Sequence, residues 1–187
     1  MTLARTELDE SAAETVEVKK YLTFKLGTEV YGVEVMKVRE ILQMAPITRM
    51  PHAVNSVKGV INLRGRIIPV MCLRGRFGMD EVPETRMTCI IIVEIRHDGN
   101  PLKMGLIVDE VLDVQDISSQ SDDQVQGISL PLESVYVCAV SNTGSEVVIL
   151  LDTERVLTHE EQQQLSDLTE AAQGKAGADP DAKEQAG

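Results

Sequence analysis

The run Thr88-Cys89-Ile90-Ile91-Ile92-Val93-Glu94-Ile95 limits what this chain can fold into more than any other stretch. β-Branched side chains stiffen the backbone toward an extended form. Apolar residues here do not alternate with polar ones, so both faces of the strand must be covered by other parts of the chain. The covering layers have to be aliphatic. Hydrophobic types make up 43% of the 187 residues, but aromatics only 3%, with no Trp.

Short segments of strand character recur around that run. Residues 21–26 alternate, Gly27-Thr28 turns, and residues 29–35 return; residues 38–42 form a third extended segment. Pro51 predicts the start of a short helix through His52 to Lys58, with Gly59 ending it. Residues 60–63 and 67–71 read as strands joined by a tight turn at Arg64-Gly65-Arg66, and residues 73–77 as one helical turn closed by Gly78. His97-Asp98-Gly99-Asn100-Pro101 has hairpin-turn chemistry, which makes residues 103–114 the strand returning from the buried one. Residues 115–127 read as a polar loop, and residues 135–140 with 146–151 as a last hairpin.

Strands of this length and spacing predict a mainly β fold, an antiparallel barrel or sandwich. We expect two small barrels packed together, roughly residues 20–83 and 84–157, meeting near Pro83, with room for strands to be exchanged between them. At Thr158 the period changes. Thr158-His159-Glu160-Glu161 fits a capping box, and Leu165 and Leu168 give the following helix, residues 159–173, a narrow apolar stripe. Residues 1–19 are polar and expected to be a flexible tail; residues 174–187 cannot form a core and are expected to be disordered.

Net charge is −12, with much of the acidic excess at the two ends. Such a balance opposes non-specific binding to nucleic acid or to an anionic membrane. Residues 1–20 lack the apolar core of a signal peptide, and no apolar run is long enough to span a bilayer. Cys72, Cys89 and Cys138 contain no C-x-x-C pair and read as buried small hydrophobes of a reducing compartment. The expectation is a cytoplasmic protein without direct membrane insertion.

Catalytic signatures are missing: there is no Walker loop, G-x-S-x-G elbow, G-x-G-x-x-G or H-E-x-x-H. His52, His97 and His159 are far apart in sequence and read as three surface side chains. Asp109, Glu110, Asp113 and Asp116 lack the Gly turn and terminal Glu of a calcium loop and read as a solvated strand face. No catalytic residue, metal or cofactor is expected.

Two features point instead to partners. From Ile41 to Met79 there is no Asp or Glu, while Arg49, Lys58, Arg64, Arg66, Arg74 and Arg76 form a basic island, which either faces a negatively charged partner or points in several directions and balances local charge. Arg64 at a hairpin tip suits a carboxylate, because a guanidinium donates a forked pair of hydrogen bonds. Nucleic acid is the competing partner, although Phe77 is the only aromatic available for stacking. The second feature is apolar: Val33, Val35, Met36 and Val38 cannot all face one side of one strand, so either both faces pack into core, the commoner arrangement, or some of them line a groove for a partner's helix.

In order along the chain come Tyr21-Leu22-Thr23-Phe24, Tyr31-Gly32-Val33, Lys37-Val38-Arg39-Glu40-Ile41 and Lys58-Gly59-Val60-Ile61-Asn62-Leu63-Arg64-Gly65. Ile67-Ile68-Pro69-Val70, Val108-Asp109-Glu110-Val111-Leu112-Asp113-Val114 and Ile149-Leu150-Leu151-Asp152 follow. These stretches resemble the CheW family of chemotaxis coupling proteins, from about Lys20 to Leu157. The resemblance implies two five-stranded SH3-like barrels. It also implies a non-catalytic scaffold joining the cytoplasmic tip of methyl-accepting chemoreceptors to a CheA-type histidine kinase. The family's receptor groove between barrels maps onto Val38, Glu40, Gly59, Asn62 and Arg64, and its kinase contact onto Val125 and Ile128. Cys72 and Ala139 depart from the family's usual Asp and Gly. Other readings are a CheW-like scaffold of a non-chemotaxis chemosensory pathway, a small nucleic-acid-binding barrel, and a small hydrolase using Asp109 and His97.

Overall fold

The computed structural model describes residues 18–50, 56–118, 135–144 and 146–175. Ten strands form two five-stranded sheets. The strands are β1 (Val18–Leu26), β2 (Glu29–Glu34), β3 (Val38–Gln43), β4 (Val57–Leu63), β5 (Arg66–Cys72), β6 (Cys89–His97), β7 (Asn100–Val108), β8 (Glu110–Ser118), β9 (Val137–Asn142) and β10 (Val147–Leu151). Two helices, α1 (Leu73–Arg76) and α2 (His159–Lys175), follow β5 and β10. The first sheet runs β8-β1-β2-β10-β9 and the second β3-β6-β7-β5-β4. Neither list closes on itself, so the mainly β, SH3-like subdomains are open sheets.

The second sheet is nested inside the first in sequence. A division at Pro83 would separate β1–β5 from β6–β10; instead β1 and β2 pair with β8 and β10, while β3 pairs with β6. This pairing arises because residues 103–114 are not one strand. The chain leaves β7 at Val108 and enters β8 at Glu110, passing from one sheet to the other at Asp109. Asp109 is thus no part of a solvated strand face: its N–H donates to Lys25 O at 3.1 Å and its Oδ2 accepts from the Gly27 N–H at 2.7 Å.

Side-chain alternation explains how β6 is covered twice. Cys89, Ile91, Val93 and Ile95 enter a central core shared by both sheets, alongside Leu22, Phe24, Leu26 and Val33. Ile90 and Ile92 turn the other way, into a core confined to the second sheet with Ile61, Ile68 and Val70. A third core, with Tyr21, Val30 and Val148, belongs to the first sheet. Burying each such aliphatic side chain contributes about 1.5–3 kcal/mol, and those of β6 that enter the central core help hold the layers together.

Four of the five aromatics gather in one row, while Tyr21 belongs to the core of the first sheet. Phe24, Tyr31, Phe77 and Tyr136 form a row with successive centroid separations of 6.0, 5.5 and 4.4 Å. Phe77 is therefore held between two tyrosines, not presented for stacking on a base.

The capping box is formed: Thr158 N–H donates to Glu161 Oε2 at 2.8 Å, and Glu161 N–H donates to Thr158 Oγ1 at 3.2 Å. Leu165 is buried and Leu168 half-buried against the central core. The helix continues to Lys175, two residues past its expected end, and β1 starts at Val18, two before the expected start of order. β8 extends to Ser118, shortening the expected polar loop. The helix expected from Pro51 fails where it can be read: Val57 and Lys58 belong to β4, while residues 51–55 lie outside the described residues. Cys72 and Cys89 are buried as expected, but Cys138 is exposed. Among the described residues no helix is long and apolar enough to cross a membrane.

Candidate partner-binding site

β3 and β4 are the two edges of the second sheet, and the segment after β3 curls back to join them. Thr48 and Val60 exchange backbone hydrogen bonds, both at 2.9 Å. Satisfying these edge groups removes a template for unwanted strand pairing and creates a seam. Gly59 stands on it with φ +152°, where an added Cβ would lie 2.2 Å from Thr48 O. Its role is therefore close backbone approach at a bulge in β4, not the ending of a helix.

The β4–β5 hairpin caps one end of the seam. Arg64 and Gly65 have φ of +53° and +81°, the pair of left-handed residues that a two-residue type I′ turn requires. Asn62 Oδ1 accepts from the Gly65 N–H at 2.9 Å and fixes the tip. From that tip Arg64 Nη2 donates to Glu40 Oε1 across the seam at 2.8 Å. The Arg64 side chain is 78% exposed and that of Glu40 28%. Val38 opens β3, half-buried against the central core.

Of the receptor positions expected from the resemblance, Val38 and Glu40 thus lie on β3, Gly59 and Asn62 on β4, and Arg64 at the turn after it. They lie on the two edge strands of the second sheet and the turn after β4, and of the five it is Arg64 and Glu40 that meet across the gap. Val125 and Ile128, expected for the kinase, lie outside the described residues. Of the apolar group, Val33 is buried, Val35 and Val38 are partly buried, and Met36 is 79% exposed. Ile41 adds a further exposed apolar side chain on β3.

Half of the basic island is engaged within the chain. Arg64 pairs with Glu40, Arg74 with Asp109 and Arg76 with Glu161, each partner coming from outside the acid-free stretch. Elsewhere on β3 the Arg39 guanidinium, 2.9 Å from Glu94 Oε1, holds the Glu94 carboxyl below the usual range. Hydrogen bonds from the Arg74 guanidinium do the same for Asp109, against the opposing effect of burial.

The histidines also depart from expectation. His97 is buried, its ring centroid 5.0 Å from that of the exposed His159. His97 Nε2 lies 3.0 Å from Gln163 Oε1, and Nδ1 lies 3.1 Å from Gln162 Oε1. Gln163, Gln162 and the nearby Asp98 and Asp167 raise the proton affinity of His97, while desolvation opposes them. Asp109 and His97, paired in the hydrolase reading, are engaged by different elements. Thr48 was not singled out in the sequence; a bridge made by one residue leaves no periodic trace.

The CheW-like domain family matches residues 20–161. The chain belongs to the CheW-like family. It is 33% identical to chemotaxis protein CheW of Klebsiella aerogenes over 150 residues, covering 80% of this chain and 87% of that protein. To chemotaxis protein CheW of Bacillus subtilis it is 30% identical over 153 residues, covering 80% and 95%. The crystal structure of scaffolding protein TtCheW from Thermoanaerobacter tengcongensis superposes with a TM-score of 0.67 at 31% identity, covering 78% of this chain and 97% of that one. The CheW-like match takes in both sheets, the seam and the capping box.

Proposed function

We propose that this CheW-like chain is a non-catalytic chemotaxis scaffold that couples methyl-accepting chemoreceptors to a CheA-type histidine kinase. The observation that carries the receptor half is the conformation of Arg64. A non-glycine residue with positive φ costs the fold about 1–2 kcal/mol, and Asn, Asp or Gly would serve a type I′ turn better. An arginine kept there is explained by what its guanidinium reaches.

Its pairing with Glu40 suits that purpose. An exposed ion pair contributes only about 0–1 kcal/mol, so a receptor carboxylate can exchange with Glu40 at little cost. Exposed Ile41 on β3 and exposed Met36 in the turn just before it offer apolar contact. In this reading the receptor tip docks on the seam through Val38, Glu40, Gly59, Asn62 and Arg64, and the kinase contacts Val125 and Ile128.

A non-catalytic role agrees with the charge pairing. The carboxylates with lowered pKa, Glu94 and Asp109, are held by arginines, which fixes their charge and unfits them to exchange protons near neutral pH. The proposed location is cytoplasmic, with receptor arrays at the inner face of the membrane. Titrating a receptor signalling fragment against wild type and Arg64→Glu tests the seam. We expect at least about a 30-fold loss of affinity, the equivalent of roughly 2 kcal/mol; equal affinity would refute the assignment.

A further inference from the structure

We propose that His97, Asp98, His159 and Gln163 form a binding site for one zinc ion, joining the β6–β7 turn to the start of α2. A ring nitrogen of His97, a carboxylate oxygen of Asp98 and a ring nitrogen of His159 lie within 4.8 Å of one another. Around His97 Nε2, Gln163 Oε1 is 3.0 Å away and Asp98 Oδ2 3.6 Å. Ligands of a tetrahedral zinc ion are separated by about 3.3 Å, which these two distances bracket. His159 and Gln163 are four residues apart on α2 and share a face. Each element therefore brings two donors.

His97 is arranged as a ligand. Its Nδ1 faces Gln162 Oε1, and Gln162 is itself fixed because its Nε2 donates to Glu154 O at 2.7 Å. An Nδ1–H held by a fixed oxygen leaves Nε2 to coordinate, as the outer hydrogen bonds of metal-bound histidines do. Two imidazoles with a carboxylate and an amide oxygen suit zinc better than calcium or magnesium, which prefer all-oxygen sets. The adjustment needed falls on His159 and Asp98, both exposed.

The test is calorimetric titration of the tag-free full chain with zinc chloride, backed by the visible spectrum after adding cobalt(II). We expect one ion per chain and the intense visible bands of four-coordinate cobalt. His159→Ala and Asp98→Asn should each weaken binding at least about tenfold. Asn tolerates the left-handed backbone of Asp98, φ +48°, so that variant keeps the turn. Cys138→Ser and His52→Ala should bind as wild type does. Zinc should also raise the melting temperature of wild type but not of His159→Ala. No heat and no cobalt bands in wild type would overturn the proposal. So would undiminished binding in His159→Ala, or binding lost with Cys138 or His52.

Discussion

Arg74 grips Asp109 through two nitrogens, Nε at 2.8 Å from Oδ1 and Nη2 at 2.5 Å from Oδ2, at the one-residue junction where the chain returns from β7 of the second sheet to β8 of the first. The guanidinium is 13% exposed and the carboxylate 27%, so water screens the pair only partly. Gly27, from the β1–β2 turn, donates to the same carboxylate. Three elements are thereby fastened at one point: the β1–β2 turn, the β7–β8 junction and α1.

Arg74→Ala should lower unfolding free energy by about 2–3 kcal/mol, since it strands a partly buried carboxylate. Urea denaturation followed by circular dichroism measures this. A change below about 0.5 kcal/mol would place the pair among inconsequential surface contacts.

The same pair predicts an acid dependence. Asp109 has a folded pKa below its unfolded value, so its contribution is complete above the unfolded pKa, about 3.9. That contribution is lost as pH falls through the folded value. Asp109→Asn lacks it at every pH and should lose less stability than wild type between about pH 5 and pH 2. Parallel stability curves for the two proteins would exclude Asp109 as a source of the acid response.

Arg64→Asn separates function from stability. It relieves the left-handed strain at Arg64 and should raise stability by about 0.5–1 kcal/mol, while weakening receptor binding. Thermal denaturation and a receptor titration on the same preparation measure both. A variant that is destabilised, or that binds normally, would undo the assignment of Arg64.

Gly59→Ala sets a Cβ against Thr48 O and must part the seam. The expected cost is about 1–3 kcal/mol. Amide exchange should accelerate at Thr48 and Val60 before it does so in β6. Unchanged protection at those two amides would show that the bridge does not hold the edges together.

Glu161 serves both the capping box and Arg76, whose Nη1 lies 2.8 Å from its Oε1. Glu161→Gln can keep the cap and lose only the charge, whereas Glu161→Ala loses both. The alanine variant should therefore fray α2 more, by about 1–2 kcal/mol, read from exchange of the helix amides. Equal fraying would assign the whole effect to the ion pair.

What could be read in the sequence is what short range dictates. The Ile90 to Val93 run declared a strand covered on both faces, Thr158 and Glu161 declared a helix start, and Arg64-Gly65 and Asp98-Gly99 declared turns. What could not be read depends on partners distant in the chain. Asp109 sits between apolar stretches that look continuous, and only Gly27 and Arg74 reveal the break. His97 looks like a turn residue at the surface until α2 covers it with Gln162 and Gln163. Gly59 resembles a helix stop because the Thr48 carbonyl that requires it leaves no local mark. The positions proposed for the receptor came from family resemblance, and the contact of Arg64 with Glu40 from the fold.

The most direct measurement of the central claim is a three-component recovery experiment with this protein, a CheA-type kinase and a receptor signalling fragment. If it is the coupling scaffold, receptor and kinase are recovered together when wild type is present, and recovery falls with Arg64→Glu. Recovery of neither partner with the folded wild-type chain, or the same recovery without it, would contradict the account.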